Sequence, residues 1–405
     1  MTSASSSAVS PWTGALGLAG LTIGLAFAWL FRLSPESGVL CVMIACAVPM
    51  VWHERYRAAR LARREPPAQQ PASVRLYRLI GILVLALPWA ATLTGFHHFA
   101  DGGAAGFFAV TIPIAPALLA LGAVYLFRQP RGGDTAERLG TLLLTGCGGS
   151  PEWWALWRVQ WLKALFLPLM VSFAYDWMSR VDRDVAAFNG TALSWYLLPL
   201  ALMYLVDVVF GTIGYVVSSR STGTEIRSTD STWGGWLVAL ICYPPFFGWL
   251  ALLGLNRYRD GFEWHHWLGD VGVMTYAWGG AILLLTGVYA WATVIFGLRF
   301  SNLTHRGIIT NGPFRYTKHP AYIAKNLSWW MVSIPFISNE GTLVAVGHCA
   351  ALLLVNVIYF LRAKTEERHL SADPAYREYV QWIAEHGVFA NLQRYGIARI
   401  RFGRA

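Results

Sequence analysis

Apolar runs, each about the length of a bilayer-crossing helix and separated by short polar stretches, fill the chain from its start to about position 361. A hydrocarbon core about 30 Å thick is crossed by roughly 20 helical residues. On that measure the pattern predicts ten spans, at about 12–31, 37–53, 76–96, 106–127, 158–175, 194–217, 234–254, 271–297, 320–338 and 341–361. The predicted fold class is all-α: a polytopic integral membrane protein with about ten transmembrane helices and cytoplasmic C-terminal helices. Only Ser338, Asn339 and Glu340 separate the last two spans, so they should form a tight antiparallel hairpin. Two parts are expected, residues 1–193 with about five helices of unassigned role, and residues 194–405 with about five helices and a cytoplasmic tail.

Composition agrees with the pattern. The 405 residues are 55% hydrophobic and only 13% charged, about half the charged share of a soluble domain. Twenty Trp and 17 Tyr suit the aromatic belts of the two interfaces. The five cysteines are scattered, and the His97–His98 and His265–His266 pairs lack Cys or carboxylate companions, so no metal site is expected.

A net charge of +10 would suggest nucleic acid for a soluble protein; here it reads as topology, and no nucleic-acid partner is expected. With the N-terminus inside, cytoplasmic segments hold 27 of the 32 Lys and Arg, leaving Arg32, Arg180, Arg183, Arg257 and Arg259 outside. This places both termini in the cytoplasm of a plasma or inner-membrane protein. Ala26-Phe27-Ala28 imitates a signal-peptidase site, but no basic residue precedes the first apolar run, so a retained helix is expected. Glu54 to Pro71 reads as a topology-setting linker or as a contact for anionic lipid headgroups.

No internal repeat is visible and intramembrane charge is scarce, which weighs against a transporter. Asp207 stands inside a span, open to a structural role or a site role, and Lys163 stands near a span end. The 218–232 loop, with Arg220, Glu225, Arg227 and Asp230, is either a solvated turn or the lining of a site mouth.

The chemistry concentrates at Asn311-Gly312-Pro313-Phe314-Arg315-Tyr316-Thr317-Lys318-His319-Pro320-Ala321-Tyr322. A tight turn, three basic side chains and a proline at the start of a helix describe an anion site at a helix N-terminus. Beyond the hairpin, Arg362 and Glu366 share a helix face at i,i+4, and Glu366 meets His369 at i,i+3. A basic loop beside an acidic helix suits a zwitterionic ligand.

The motif Gly312-Pro313-Phe314-Arg315-Tyr316-x-x-His319-Pro320-x-Tyr322, with Arg362-x-x-x-Glu366-Glu367-x-x-Leu370 and Tyr376-x-x-Tyr379, resembles the C-terminal signature of the isoprenylcysteine carboxyl methyltransferase family. The phospholipid N-methyltransferases belong to the same superfamily. The resemblance covers roughly 300–382; Ala324, Lys318 and Lys364 depart from its usual residues. It implies a membrane enzyme that binds S-adenosylmethionine among its last helices and methylates a lipophilic or lipidated acceptor arriving from the membrane lipids. On that reading Gly312, Tyr316, His319, Pro320, Tyr322 and Glu366 bind the cofactor, and Arg315, Arg362 and Glu367 are catalytic. Arg315 or Arg362 would orient an anionic acceptor, and Glu367 or His319 would take the proton of an amine acceptor. The competing readings are an NADPH-dependent sterol-type reductase of related fold, a phospholipid N-methyltransferase and a transporter. Oligomeric state is not predicted.

Overall fold

Local chemistry sets the ends of the helices. Ser10, Asp134, Ser150, Thr191, Thr232 and Asp373 each precede a helix and accept a hydrogen bond from a first-turn amide, satisfying donors that have no intrahelical partner. The computed structural model describes residues 7–61, 74–99, 104–127, 134–269 and 272–390.

The helices run in order as α1 (Pro11–Leu30), α2 (Pro35–Leu61), α3 (Val74–Phe99), α4 (Ala105–Thr111), α5 (Ala115–Phe127), α6 (Thr135–Leu144), α7 (Pro151–Ala186) and α8 (Ala192–Val216). They continue as α9 (Trp233–Leu240), α10 (Phe246–Leu252), α11 (Trp264–Leu268), α12 (Gly272–Phe296), α13 (Pro320–Ser333), α14 (Thr342–Leu370) and α15 (Pro374–His386). The only paired strands among the described residues, β1 (Ser228–Thr229) and β2 (Thr304–His305), are antiparallel, with Ser228 opposite His305 and Thr229 opposite Thr304. The all-α membrane architecture read from the sequence is therefore the one found.

Among the described residues six helices are long and apolar enough to cross a bilayer: α1, α2, α3, α8, α12 and α14. The pair α4 and α5, bent by 71°, would make a seventh. The difference from ten has local causes. The predicted span at 234–254 is two short helices, α9 and α10, interrupted at Pro244–Pro245, where the ladder loses its donors. The span at 158–175 lies inside the 36-residue α7, which also holds Glu152, Arg158, Lys163, Asp176 and Arg180. The span at 320–338 is the 14-residue α13, stopped at Ile334, whose backbone is left-handed. The hairpin between α13 and α14 consequently includes 334–341, longer than the three residues expected.

The core is shared by both halves of the chain. Val42 and Met50 of α2, Met178 of α7, Val209 and Phe210 of α8, and Val294 of α12 are buried in one cluster. Backbones approach closely between α1 and α2, where a Cβ on Gly20 would lie 2.1 Å from the Ala45 carbonyl oxygen; small residues at such crossings replace the hydrophobic drive that lipid removes. The few polar groups here are paired. Thr13 Oγ1 donates to Glu54 Oε1 at 2.5 Å, and Glu54 also faces Arg57 at 3.0 Å and Arg299 at 3.7 Å. Residues 62–71 of the linker, Arg128, Arg131, the six N-terminal residues and the basic tail after 390 lie outside the described residues.

Candidate functional site

The 218–232 and 297–319 loops form one layer under the helix ends. The β1–β2 pairing joins them, and Arg306 locks the layer. Its buried guanidinium donates to the carbonyls of Gly214 at 2.8 Å, Val217 at 2.9 Å and Thr224 at 2.9 Å. His305, on β2, stands with Nε2 3.1 Å from Asp373 Oδ2. Burial pushes the pKa of this imidazole below its ordinary value, outweighing the upward pull of Asp373.

Three braces fix the Asn311 turn. The N-terminal strap bonds to it through Ala8 N–H to the Ile308 carbonyl at 2.9 Å and Asn311 Nδ2 to the Val9 carbonyl at 3.3 Å. From the other side Tyr379 Oη of α15 donates to the Phe314 carbonyl at 2.7 Å, and Val388 N–H donates to the Tyr316 carbonyl at 2.8 Å. Gly312 is needed for its backbone: φ is +58°, and a Cβ there would meet Ile295 at 2.7 Å.

Above this layer the ends of α9, α12, α13 and α14 line a cavity that opens to the surface. His319, Pro320, Tyr322, Arg362 and Glu366 all line it. Gly312, Arg315, Tyr316 and Glu367 do not. Arg315 and Tyr316 are exposed, and Gly312 packs on α12.

Glu367 belongs to the rim. Its carboxylate takes Lys318 Nζ at 2.7 Å, His319 Nε2 at 3.0 Å and Lys364 Nζ at 3.0 Å, binding the loop to α14. Glu366, the next residue, turns inward and accepts a hydrogen bond from Tyr322 Oη at 3.0 Å, while making no ion pair among the described residues. Tyr322 stacks on the His319 ring, centroids 5.5 Å apart. Pro320 opens α13, and the first intrahelical bond of that end runs from Ile323 N–H to the His319 carbonyl. Pro320 has no N–H, and the amides of Ala321 and Tyr322, residues that line the cavity, come before the first intrahelical bond.

Arg362 is buried in the wall. Its guanidinium stands over Tyr322 at 5.4 Å and Tyr243 at 5.5 Å, donates to Asn302 Oδ1, and has no carboxylate partner among the described residues. Asn302 is held for this contact, its own N–H on Tyr215 Oη at 2.9 Å and its Nδ2 on Tyr243 Oη at 3.1 Å.

The cavity also takes residues that were not candidates from the sequence: Tyr243, Tyr289, Asn302, Lys325 and Tyr359. None belongs to a motif, but Lys325 lies at i+3 from Tyr322 on α13, a spacing that puts both on one face. Asp230 from the 218–232 loop lines the cavity, whereas Asp207 sits behind the wall, accepting from Tyr289 Oη and from Thr293 Oγ1 at 2.5 Å. Of the two His pairs, His266 serves α11, its Nδ1 accepting from Glu263 N–H at 3.1 Å.

An inward carboxylate, free helix amides and aromatic walls fit a ligand carrying an ammonium, a carboxylate and a sulfonium. Residues 277–372 match the model of the isoprenylcysteine carboxyl methyltransferase (ICMT) family, and every motif residue lining the cavity falls within them. No curated protein and no solved structure matches the chain. The family match bears out the resemblance read from the sequence and supports a membrane methyltransferase.

Proposed function

We propose that this chain, with an ICMT-family region at 277–372, uses S-adenosylmethionine to methylate the carboxylate of a lipophilic acceptor at the cytoplasmic face of the membrane. The observation that carries the reading is the arrangement of unpaired charge in one cavity: Glu366 on the side of the α13 N-terminus and Arg362 in the wall.

The cofactor supplies an electrophilic methyl group. Glu366 holds its ammonium, and the first amides of α13 beside His319 and Pro320 hold its carboxylate. Arg362 orients the acceptor carboxylate by charge-assisted hydrogen bonds. Such an acceptor is already deprotonated at neutral pH, so the chain needs only to align it and exclude water, and alignment alone can lower a barrier by several kcal/mol. Glu367, engaged by three basic side chains, acts as a clamp between loop and helix rather than as a base. The helices of 1–193 serve as scaffold and strap, and those of 194–405 contain the site.

Titration calorimetry on the purified chain with S-adenosylhomocysteine and with NADPH tests the reading. Binding of the first alone is expected. Binding of NADPH alone would overturn it in favour of a reductase, whose cofactor phosphates call for more Arg and no inward Glu.

A further inference from the structure

One charge in the cavity has no task in the scheme above. Lys325 is half-buried on α13, its ammonium 5.2 Å from the centroid of Tyr289, 5.2 Å from Trp329 and 5.5 Å from Tyr359. Among the described residues it makes no ion pair. Asp207 behind the wall, which accepts from the hydroxyls of Tyr289 and Thr293, attracts Lys325 through space but forms no ion pair with it. Aromatic faces stabilise a cation by less than desolvating that cation costs. A lysine so placed stays solvated through the cavity until an anion replaces the water. Arg362 stands 5.9 Å from the same Tyr359 ring, so two cations without carboxylate partners bracket one aromatic wall.

We infer that Lys325 is a specificity-determining residue: with Arg362 it receives the anionic group of the acceptor, admitting lipophilic acids and turning away lipophilic amines. The inference rests on the proposed methyl transfer only for what is done to the bound acid. Selectivity arises because at the Tyr359 wall an amine head meets two like charges and a carboxylate two opposite ones, the cavity's own carboxylates being engaged elsewhere, Glu366 by the cofactor and Asp230 by Thr232 and Arg368. A purely structural lysine would leave that preference unchanged.

The test uses the full chain in lipid nanodiscs and three probes of equal chain length, dodecanoate, dodecanamide and dodecylamine, with binding read by tryptophan fluorescence. The wild type is expected to prefer dodecanoate over dodecanamide at least tenfold and to bind dodecylamine weakest. Lys325→Met should reduce the preference for dodecanoate to threefold or less, Lys325→Arg should restore it, and S-adenosylhomocysteine affinity should be the same in all. Should the methionine variant lose its monodisperse form, Lys325→Gln reads the same contrast. A full acid preference in the Lys325→Met or Lys325→Gln protein, or none in the wild type, overturns the inference. Acid preference that depends on Lys325 in a chain that binds no S-adenosylhomocysteine supports the subsite and refutes the methyl-transfer reading.

Discussion

The rim and the interior of the cavity use the same residue types to opposite ends. On the rim, Lys318, His319 and Lys364 converge on Glu367 within 3.0 Å, a closed set that fastens the loop before α13 to the last turns of α14. Inside, Glu366, Arg362 and Lys325 touch tyrosines, tryptophan and an amide but no opposite charge. Charges that are already paired hold structure together. Charges left without counter-ions in a cavity are completed by a ligand, and removing them should affect binding and turnover more than folding.

The largest expected effect is therefore in the interior. Arg362→Met should lower methyl transfer roughly 100-fold, about 2.8 kcal/mol at 1.4 kcal/mol per tenfold, with S-adenosylhomocysteine affinity changed by less than about threefold. Radiometric assay and calorimetry on the same preparation check both parts. Next, Glu366→Gln and His319→Ala should each weaken the cofactor about tenfold, the first by loss of a charge-assisted hydrogen bond and the second by loss of the ring that stacks on Tyr322 beside the first amides of α13. Unchanged affinity in both would break the assignment of this end of the cavity.

On the rim the sign of the contrast reverses. Glu367→Gln is expected to lower the melting temperature, since a carboxylate serving two ammonium groups and an imidazole costs about 1–3 kcal/mol to remove, while cofactor affinity stays within about threefold. Arg315→Ala and Tyr316→Ala, on exposed side chains, should shift the melting temperature by no more than about a degree or two and cofactor affinity by no more than about twofold. The smallest effect concerns His305. Its pKa is lowered in the fold, so the unfolded chain binds its proton first. The stability it contributes is full above the ordinary value of about 6.5 and is lost as pH falls through that value toward the folded one. His305→Gln should flatten the decline in melting temperature between about pH 7 and 5 by a degree or two.

How much of this was legible in the sequence follows the range of the interactions. Helix spacing alone puts Arg362, Glu366 and His369 on one face of α14, and all three line the cavity. The same spacing turns Glu367 aside, which the motif obscured by presenting two adjacent acids. Lys325 counted as one more cytoplasmic charge, although its distance from Tyr322 matched a helix face. Arg315 and Tyr316 sit in a loop whose side chains are aimed by Val388, Tyr379 and the N-terminal strap, partners from distant parts of the chain that no local pattern shows. Asn302, Tyr243 and Tyr289 likewise reach the cavity only through packing of α9, α12 and α14. The apolar pattern located the helices well, and failed where Pro244–Pro245 interrupts an apolar run and where α7 carries charges along its length.

The central claim is methyl transfer to a carboxylate, and the most direct measurement is incubation of the membrane-embedded chain and a lipid extract with S-adenosylmethionine carrying a labelled methyl group, followed by base. Label incorporated into lipophilic product and then released as volatile methanol is the predicted result. Incorporated label that base leaves in place would show an amine or another acceptor, and no incorporation with any lipid fraction would contradict the account.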